Sequence, residues 1–167
     1  MYVRVLILLC MTLYWPTLGW SFTADKRDTL RGLKDISVLV EYLPDDIERE
    51  GLTREHLQRD IEARLRQAGL HVLTISEVAN SPGAPYLYVA LYPIASPSAN
   101  INAYAVALTV KQLVQLSRNP ATELFATTWE GPIHFSSLAD SRVLDLRSRI
   151  FDAVGRFIVD YRDVNSK

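Results

Sequence analysis

The chain is poor in cysteine, since Cys10 is the only one among its 167 residues. Cys10 lies in the apolar segment at the amino terminus, and Leu9 precedes it where a lipoprotein signal has a small residue. The sequence therefore predicts no lipid attachment at Cys10 and, in the remainder of the chain, no disulfide or thiol chemistry. That remainder is long enough to bury a hydrophobic core without covalent cross-links.

The chain also lacks an excess of either charge. Its 18 lysines and arginines are balanced by 19 aspartates and glutamates, which gives a formal net charge of −1. A nucleic-acid surface needs clustered basic residues against the phosphates, whereas the arginines here are interleaved with acidic residues. Composition therefore argues against a nucleic-acid partner.

Common catalytic and cofactor motifs are missing from the sequence. It contains no Gly-x-Ser-x-Gly, His-Glu-x-x-His, Gly-x-Gly-x-x-Gly or phosphate-binding loop. His56 and Asp60 have the spacing of two metal ligands on one helix face, but a catalytic zinc site needs a third protein ligand and none is suggested. We therefore expect no cofactor, no bound metal and no enzyme activity.

One group of residues leaves a hydrolase open as an alternative. Glu130 and His134 flank Gly131-Pro132, and Ser136 and Asp140 follow closely. A hydroxyl, an imidazole and a carboxylate are the components of a Ser–His–acid site, although geometry rather than closeness in sequence defines such a site. This alternative requires that Glu130 and His134 converge in a pocket.

The amino terminus has the three-part organisation of a secretory signal. Met1–Arg4 is a short basic segment, and Val5–Trp15 is an apolar run too short to span a bilayer as a helix. Pro16 ends the run, and small residues within 17–21 suit a signal peptidase. The sequence predicts that residues 1–21 are a signal peptide and that the protein is exported to the periplasm. If the signal stays uncleaved, the protein is instead a membrane-tethered accessory protein.

The rest of the chain is predicted to be a flexible lead-in over 22–34 and a single domain over 35–165. The β-branched segment from Ile36 to Leu43 predicts the first strand of that domain. Alternating or β-branched segments predict further strands at 71–75, 86–94, 102–116 and 124–130. An apolar stripe at helical spacing predicts a long final helix over about 138–164.

The first predicted helix has signals at both ends. Thr53 is a suitable N-cap, and Leu57, Ile61 and Leu65 form an apolar stripe. Gly69 is placed to end the helix in a Schellman motif, which needs a residue with positive φ.

The resulting order of elements is β-α-β-β-β-β-α. Successive strands joined by short turns pair antiparallel, and two amphipathic helices must bury their stripes against one face of the sheet. The predicted fold class is α+β: a two-layer sandwich in which a mostly antiparallel sheet of about five strands carries two helices on one face.

Three tyrosines lie on one side of a predicted strand. Tyr86, Tyr88 and Tyr92 alternate with aliphatic residues, and the aliphatic side suits the helices. Tyrosine is common on any half-exposed sheet face because of its β-propensity, but contiguous aromatic patches also mark contact surfaces. We expect this face to bind a protein partner or a second copy of the chain.

Two segments carry a resemblance. At Pro82–Val89 (PGAPYLYV) and Ala126–Gly131 (ATTWEG) the chain resembles a group of short exported bacterial proteins with no assigned function. Its order of elements is similar to that of small envelope accessory domains, such as lipopolysaccharide-assembly and transport-auxiliary lipoproteins and the amino-terminal domain of the Tol-system propeller protein. The resemblance implies docking onto other envelope components, without catalysis. The chain departs from the lipoproteins because it lacks their anchoring cysteine.

We predict that the exported protein is cleaved after Gly19 or Ser21, because small residues there follow the apolar run. Intact-mass measurement of the protein from the envelope fraction checks this. A mass that still includes residues 1–19 would show that the signal remains as an anchor.

Overall fold

The computed structural model describes residues 25–96, 101–137 and 142–166. The predicted signal peptide and Asp140 lie outside these ranges. A short 3₁₀ helix, Lys26–Leu30, precedes the sheet. The strands are β1 (Asp35–Val40), β2 (His71–Val72), β3 (Tyr86–Ser96), β4 (Ile101–Leu116), β5 (Asn119–Glu130) and β6 (His134–Ser137). The helices are α1 (Asp45–Arg49), α2 (Arg54–Gln67), α3 (Ile75–Val78) and α4 (Arg142–Asn165).

The strands form one mixed sheet with the order β2-β1-β3-β4-β5, and β6 pairs with the beginning of β4. β1 runs parallel to both of its neighbours, whereas the remaining pairs are antiparallel. The parallel pairs follow from the crossovers through α2 and α3, and the antiparallel pairs follow from short connections between successive strands. The predicted α+β sandwich is confirmed, with six strands in the described residues instead of about five.

The helices cover one face of the sheet. α2 contributes Leu57, Ile61 and Leu65 to the core, and α4 contributes an apolar stripe that runs from Leu146 to Phe157. Every second strand residue meets them, as expected of a sheet buried on one side. These strand residues are Val38, Leu87, Val89, Leu91, Val106, Leu108, Val110 and Trp129. We call this side the covered face and the opposite side the open face.

The ends of α2 are confirmed as the sequence predicted them. The Thr53 hydroxyl accepts a hydrogen bond from the main-chain N–H of His56 at 3.3 Å. At the other end Gly69 has a φ of +94°, and the N–H of Leu70 donates to the carbonyl of Leu65 at 3.1 Å. This is the bond pattern of a Schellman motif.

The lead-in differs from the prediction. Its described part, from Asp25 onward, is packed rather than flexible, because Leu30 is fully buried in the core. The Thr29 hydroxyl also donates to the carbonyl of Thr128 at 3.0 Å, and Asn165 at the end of α4 donates its side-chain amide to the Leu30 carbonyl at 2.8 Å. A polar stretch with a single well-placed leucine shows no periodicity, so the sequence concealed this docking.

Other short elements were also missed. α1, α3 and β6 are each only one or two turns of chain, too short to show a period. The predicted strand at 71–75 stops at Val72, because Thr74 caps α3 with a reciprocal bond to Glu77. The turn expected at Asn119–Pro120 lies two residues earlier, at 117–118.

Trp129 fastens β5 to α4. Its indole is almost fully buried and meets the Phe157 ring edge to face, with the ring centroids 5.2 Å apart. The indole N–H donates to the Asp160 carboxylate at 3.1 Å, and Arg156 balances that buried charge at 3.0 Å. A Cβ at Gly131 would lie 3.1 Å from the indole ring, so the glycine makes room for the tryptophan.

We predict that Gly69→Ala lowers the free energy of unfolding by about 1 kcal/mol, because its φ of +94° strains any residue with a Cβ. Gly155→Ala in α4 is the matched control, and there a Cβ would meet nothing within 4 Å. This control should stabilise the protein by about 0.5–1 kcal/mol, because alanine favours helix interiors. Urea denaturation measures both, and equal effects of the same sign would contradict the assignment.

Candidate functional site

The three predicted tyrosines lie on the open face. Leu87 and Val89 between them are buried against the helices, whereas Tyr86 and Tyr88 are half-buried and 52% of Tyr92 is exposed. The alternation of β3 therefore separates an aliphatic side from a tyrosine side, as the sequence indicated.

Neighbouring strands add further apolar side chains to this face. Leu39 on β1 is 49% exposed, Phe125 on β5 is 51% exposed and Phe135 on β6 is 63% exposed. Strand register places them on the open side: Leu39 pairs with Tyr88, and Phe135 pairs with Ala105. We call the six residues Leu39, Tyr86, Tyr88, Tyr92, Phe125 and Phe135 the tyrosine surface.

The sequence analysis missed Leu39, Phe125 and Phe135 as members of this surface. Alternation within each strand was readable, but which residues of different strands become neighbours depends on register. The β4–β5 register shifts by one residue between Val110 and Lys111, and that bulge is not encoded in the hydrophobic pattern.

Ring contacts order one end of the tyrosine surface. Tyr86 lies edge to face with Phe125, with centroids 5.6 Å apart, and also meets Tyr88 at 6.4 Å. Such pairs contribute roughly 0.5–1.5 kcal/mol beyond the area they bury. This end is therefore a fixed aromatic platform.

Tyr88 is the most constrained of the three tyrosines. The Lys111 ammonium lies 4.4 Å from its ring centroid, in cation–π contact. Burial raises the pKa of Tyr88 to about 12, with a further contribution from the neighbouring Glu41 carboxylate. The hydroxyl consequently stays protonated at neutral pH and is available as a hydrogen-bond donor.

Small side chains form the floor beside Tyr92. Ala105 pairs with Tyr92, and Ala107 pairs with Ala90. Ala90 and Ala105 are buried even though no side chain larger than a methyl group stands there. The exposed rings therefore border a shallow depression.

A groove adjoins the tyrosine surface at the edge of β1. It encloses about 420 Å³ and is mainly apolar. Leu39 and Tyr86 line it together with Ile75 and Val78 of α3, while Arg66 lies at its polar side. Ile75 is 95% exposed, so the groove extends the apolar area toward the edge of the sheet.

The residues of the hydrolase alternative do not converge. Glu130 pairs with Thr109, whose side chain is on the open face, and His134 pairs with Val106, which is fully buried on the covered face. Because the two partners are three residues apart on one strand, Glu130 and His134 project from opposite faces of the sheet.

Ser136 is also committed elsewhere. Its side chain is fully buried, and its hydroxyl donates directly to Asp145 on α4 at 2.7 Å. In a Ser–His–acid site the imidazole lies between hydroxyl and carboxylate, which is not the order here. Asp140 lies outside the described residues.

The possible metal pair is engaged in other contacts. Asp60 accepts a hydrogen bond from Arg147 of α4 at 2.5 Å, and that ion pair links α2 to α4. Within residues 25–96, 101–137 and 142–166, no three His, Cys, Asp or Glu side chains are grouped to hold a metal ion.

No helix in the described part of the chain is both long and apolar enough to cross a membrane.

No known protein family matches the chain, and no curated protein matches it. Two solved structures share part of its fold. A hypothetical protein from Chlamydia trachomatis aligns at 9% identity with a TM-score of 0.42, covering 77% of this chain and 97% of that one. A minor lipoprotein from Acinetobacter baumannii aligns at 12% identity with a TM-score of 0.33, covering 80% of this chain and 97% of that one.

We predict that Tyr88 titrates near pH 12, because burial and the Glu41 carboxylate both disfavour the phenolate. A raised folded-state pKa means that its contribution to stability is fully present below the ordinary pKa of about 10 and is lost as the pH rises toward 12. Tyrosinate absorbance near 295 nm, compared between wild type and Tyr88→Phe, measures the titration. Glu41→Gln should lower the pKa of Tyr88, and an unchanged titration in that variant would contradict the assigned cause.

Proposed function

We propose that the protein is a non-catalytic interaction module of the periplasm, exported through residues 1–21, which docks a partner protein on the tyrosine surface. The observation that carries the proposal is a set of large apolar side chains exposed together on one sheet face. Monomeric soluble proteins rarely expose contiguous apolar patches of that kind unless the patch makes contact with something.

The composition of the surface favours a protein as the partner. Tyrosine and phenylalanine are enriched at the centres of protein interfaces, because their rings exclude water while the phenol keeps a hydrogen bond. The side chains are also partly pre-ordered by the Tyr86–Phe125 and Tyr88–Lys111 contacts. Pre-ordered rings lose less conformational entropy on binding, which favours affinity.

The charges around the surface argue against a nucleic acid. Glu41, Lys111 and Glu130 flank the aromatic residues, so acidic and basic groups are mixed there. A phosphate backbone would require several cations in a row. A rim of mixed charge around an apolar centre is instead typical of protein–protein interfaces.

The absence of catalysis is part of the proposal and rests on geometry. Glu130 and His134 leave the sheet on opposite faces, and Ser136 is buried against Asp145. These residues are explained by packing. The exported location rests on the signal-like amino terminus.

Photo-crosslinking in the native envelope tests the proposal. A crosslinking residue is placed at Tyr92, which is 52% exposed at the tyrosine surface, or at Val159, which is 50% exposed on α4. The two positions are matched in exposure and differ in the face they occupy. We expect a discrete protein adduct at Tyr92 and none at Val159. Adducts at Val159 alone, or the same adducts at both positions, would contradict the proposal.

A further inference from the structure

β5 has a free outer edge. The strand spans Asn119–Glu130 and pairs with β4 on one side, and most of its residues are exposed. In the described sheet β5 is the last strand of the order, so no strand pairs with its other side. An edge strand of this length presents a row of unpaired main-chain groups, which is a template for another strand.

The hydrogen bonds of β4 show which groups point outward. The carbonyl of Leu108 accepts from Gly131 after β5, and the N–H of Leu113 donates to Gly83 on the opposite side. Even-numbered residues of this part of β4 therefore bond toward β5, including Val114, which pairs with Leu124. On β5, Leu124 and its alternate neighbours bond inward. The outward main-chain groups belong to Ala121, Glu123, Phe125 and Thr127.

The free stretch has defined limits. Pro120 precedes it, and a β-bulge at Thr128 follows it, where the carbonyl is already occupied by the Thr29 hydroxyl. Natural edge strands are commonly protected by lysine, proline or bulges. Here such devices stand at the two ends, and between them Glu123 is the one charged residue.

We propose that a second copy of the chain pairs with this edge, so that two β5 strands run antiparallel about a two-fold axis at Leu124. In this register Glu123 faces Phe125 of the other copy, and Ala121 faces Thr127. The pairing uses the free stretch symmetrically and stops before the bulge on both sides. About eight main-chain hydrogen bonds would form, since each directly opposed bonding pair exchanges two.

Charge selects this register over its neighbours. An axis at Glu123 would place two carboxylates directly opposite each other, which is destabilising. An axis at Phe125 would extend the pairing to Trp129, beyond the bulge and into the buried core. With the axis at Leu124, the two Leu124 side chains, each 41% exposed, face each other across the junction.

The pairing would also join two tyrosine surfaces. Phe125 lies on the open face and contacts Tyr86 within its own copy. Across the junction the aromatic residues of both copies would line one continuous sheet face. The inference goes beyond the proposed function, because the pairing uses main-chain groups at the edge and does not require a partner on the open face.

Cysteine capture tests the register. In a Cys10→Ser background the chain contains no other cysteine, so an introduced thiol is alone. Leu124→Cys should form a disulfide-linked dimer on mild oxidation, because directly opposed residues lie about 4.5–5.5 Å apart. Ala126→Cys on the same face is the control. Its two copies would be offset by four residues, about 13 Å along the strand, and should not link.

Sedimentation equilibrium of the exported protein tests the dimer itself. We expect twice the chain mass at micromolar concentration. Glu123→Pro removes one outward N–H and should weaken dimerisation by about tenfold or more, whereas Glu123→Ala keeps that N–H and should leave the dimer intact. Circular dichroism shows whether the proline variant is folded, and the cysteine pair does not depend on it. A monomer at all concentrations, or equal linking of Leu124→Cys and Ala126→Cys, would overturn the proposal.

Discussion

A β-sheet has two faces, and in this protein the buried side chains of α1, α2 and α4 all enter the same one. The aliphatic residues of β1, β3 and β4 alternate with tyrosine, alanine and threonine, so only one register buries them under the helices. The helices contain no second apolar stripe for the other side. The exposure of the tyrosine surface is therefore a consequence of how the core is formed, and it persists as long as the core does.

The helix layer is held in place by one mostly apolar junction with a polar centre. Trp129 packs on Phe157, and its indole N–H reaches Asp160, whose charge is balanced by Arg156. A buried carboxylate is costly without such partners, so the bond fixes the position of α4 along β5. Gly131 then lets the chain leave the strand beside the ring. This junction sets where β6 begins and thereby sends Glu130 and His134 to opposite faces.

The sequence allowed the long elements to be predicted because their signals are local. The N-cap at Thr53, the Schellman glycine at Gly69 and the alternation of β3 each depend on residues close in the chain. The packed lead-in, β6 and the bulge in β5 depend on distant partners, such as Leu30 with the core and Thr29 with Thr128. For the same reason the three tyrosines could be placed on one face, whereas Leu39, Phe125 and Phe135 became their neighbours only through register.

The central claim is that the tyrosine surface is covered by another protein in the cell, while the outer side of the helices faces water. Hydroxyl-radical footprinting of the protein in the intact envelope and after purification tests this most directly, because it reads the solvent exposure of individual side chains. The account predicts that oxidation of Tyr92 and Phe135 falls in the envelope relative to the purified protein, while oxidation of Val159 stays the same. Equal oxidation of Tyr92 and Phe135 in both states would contradict it.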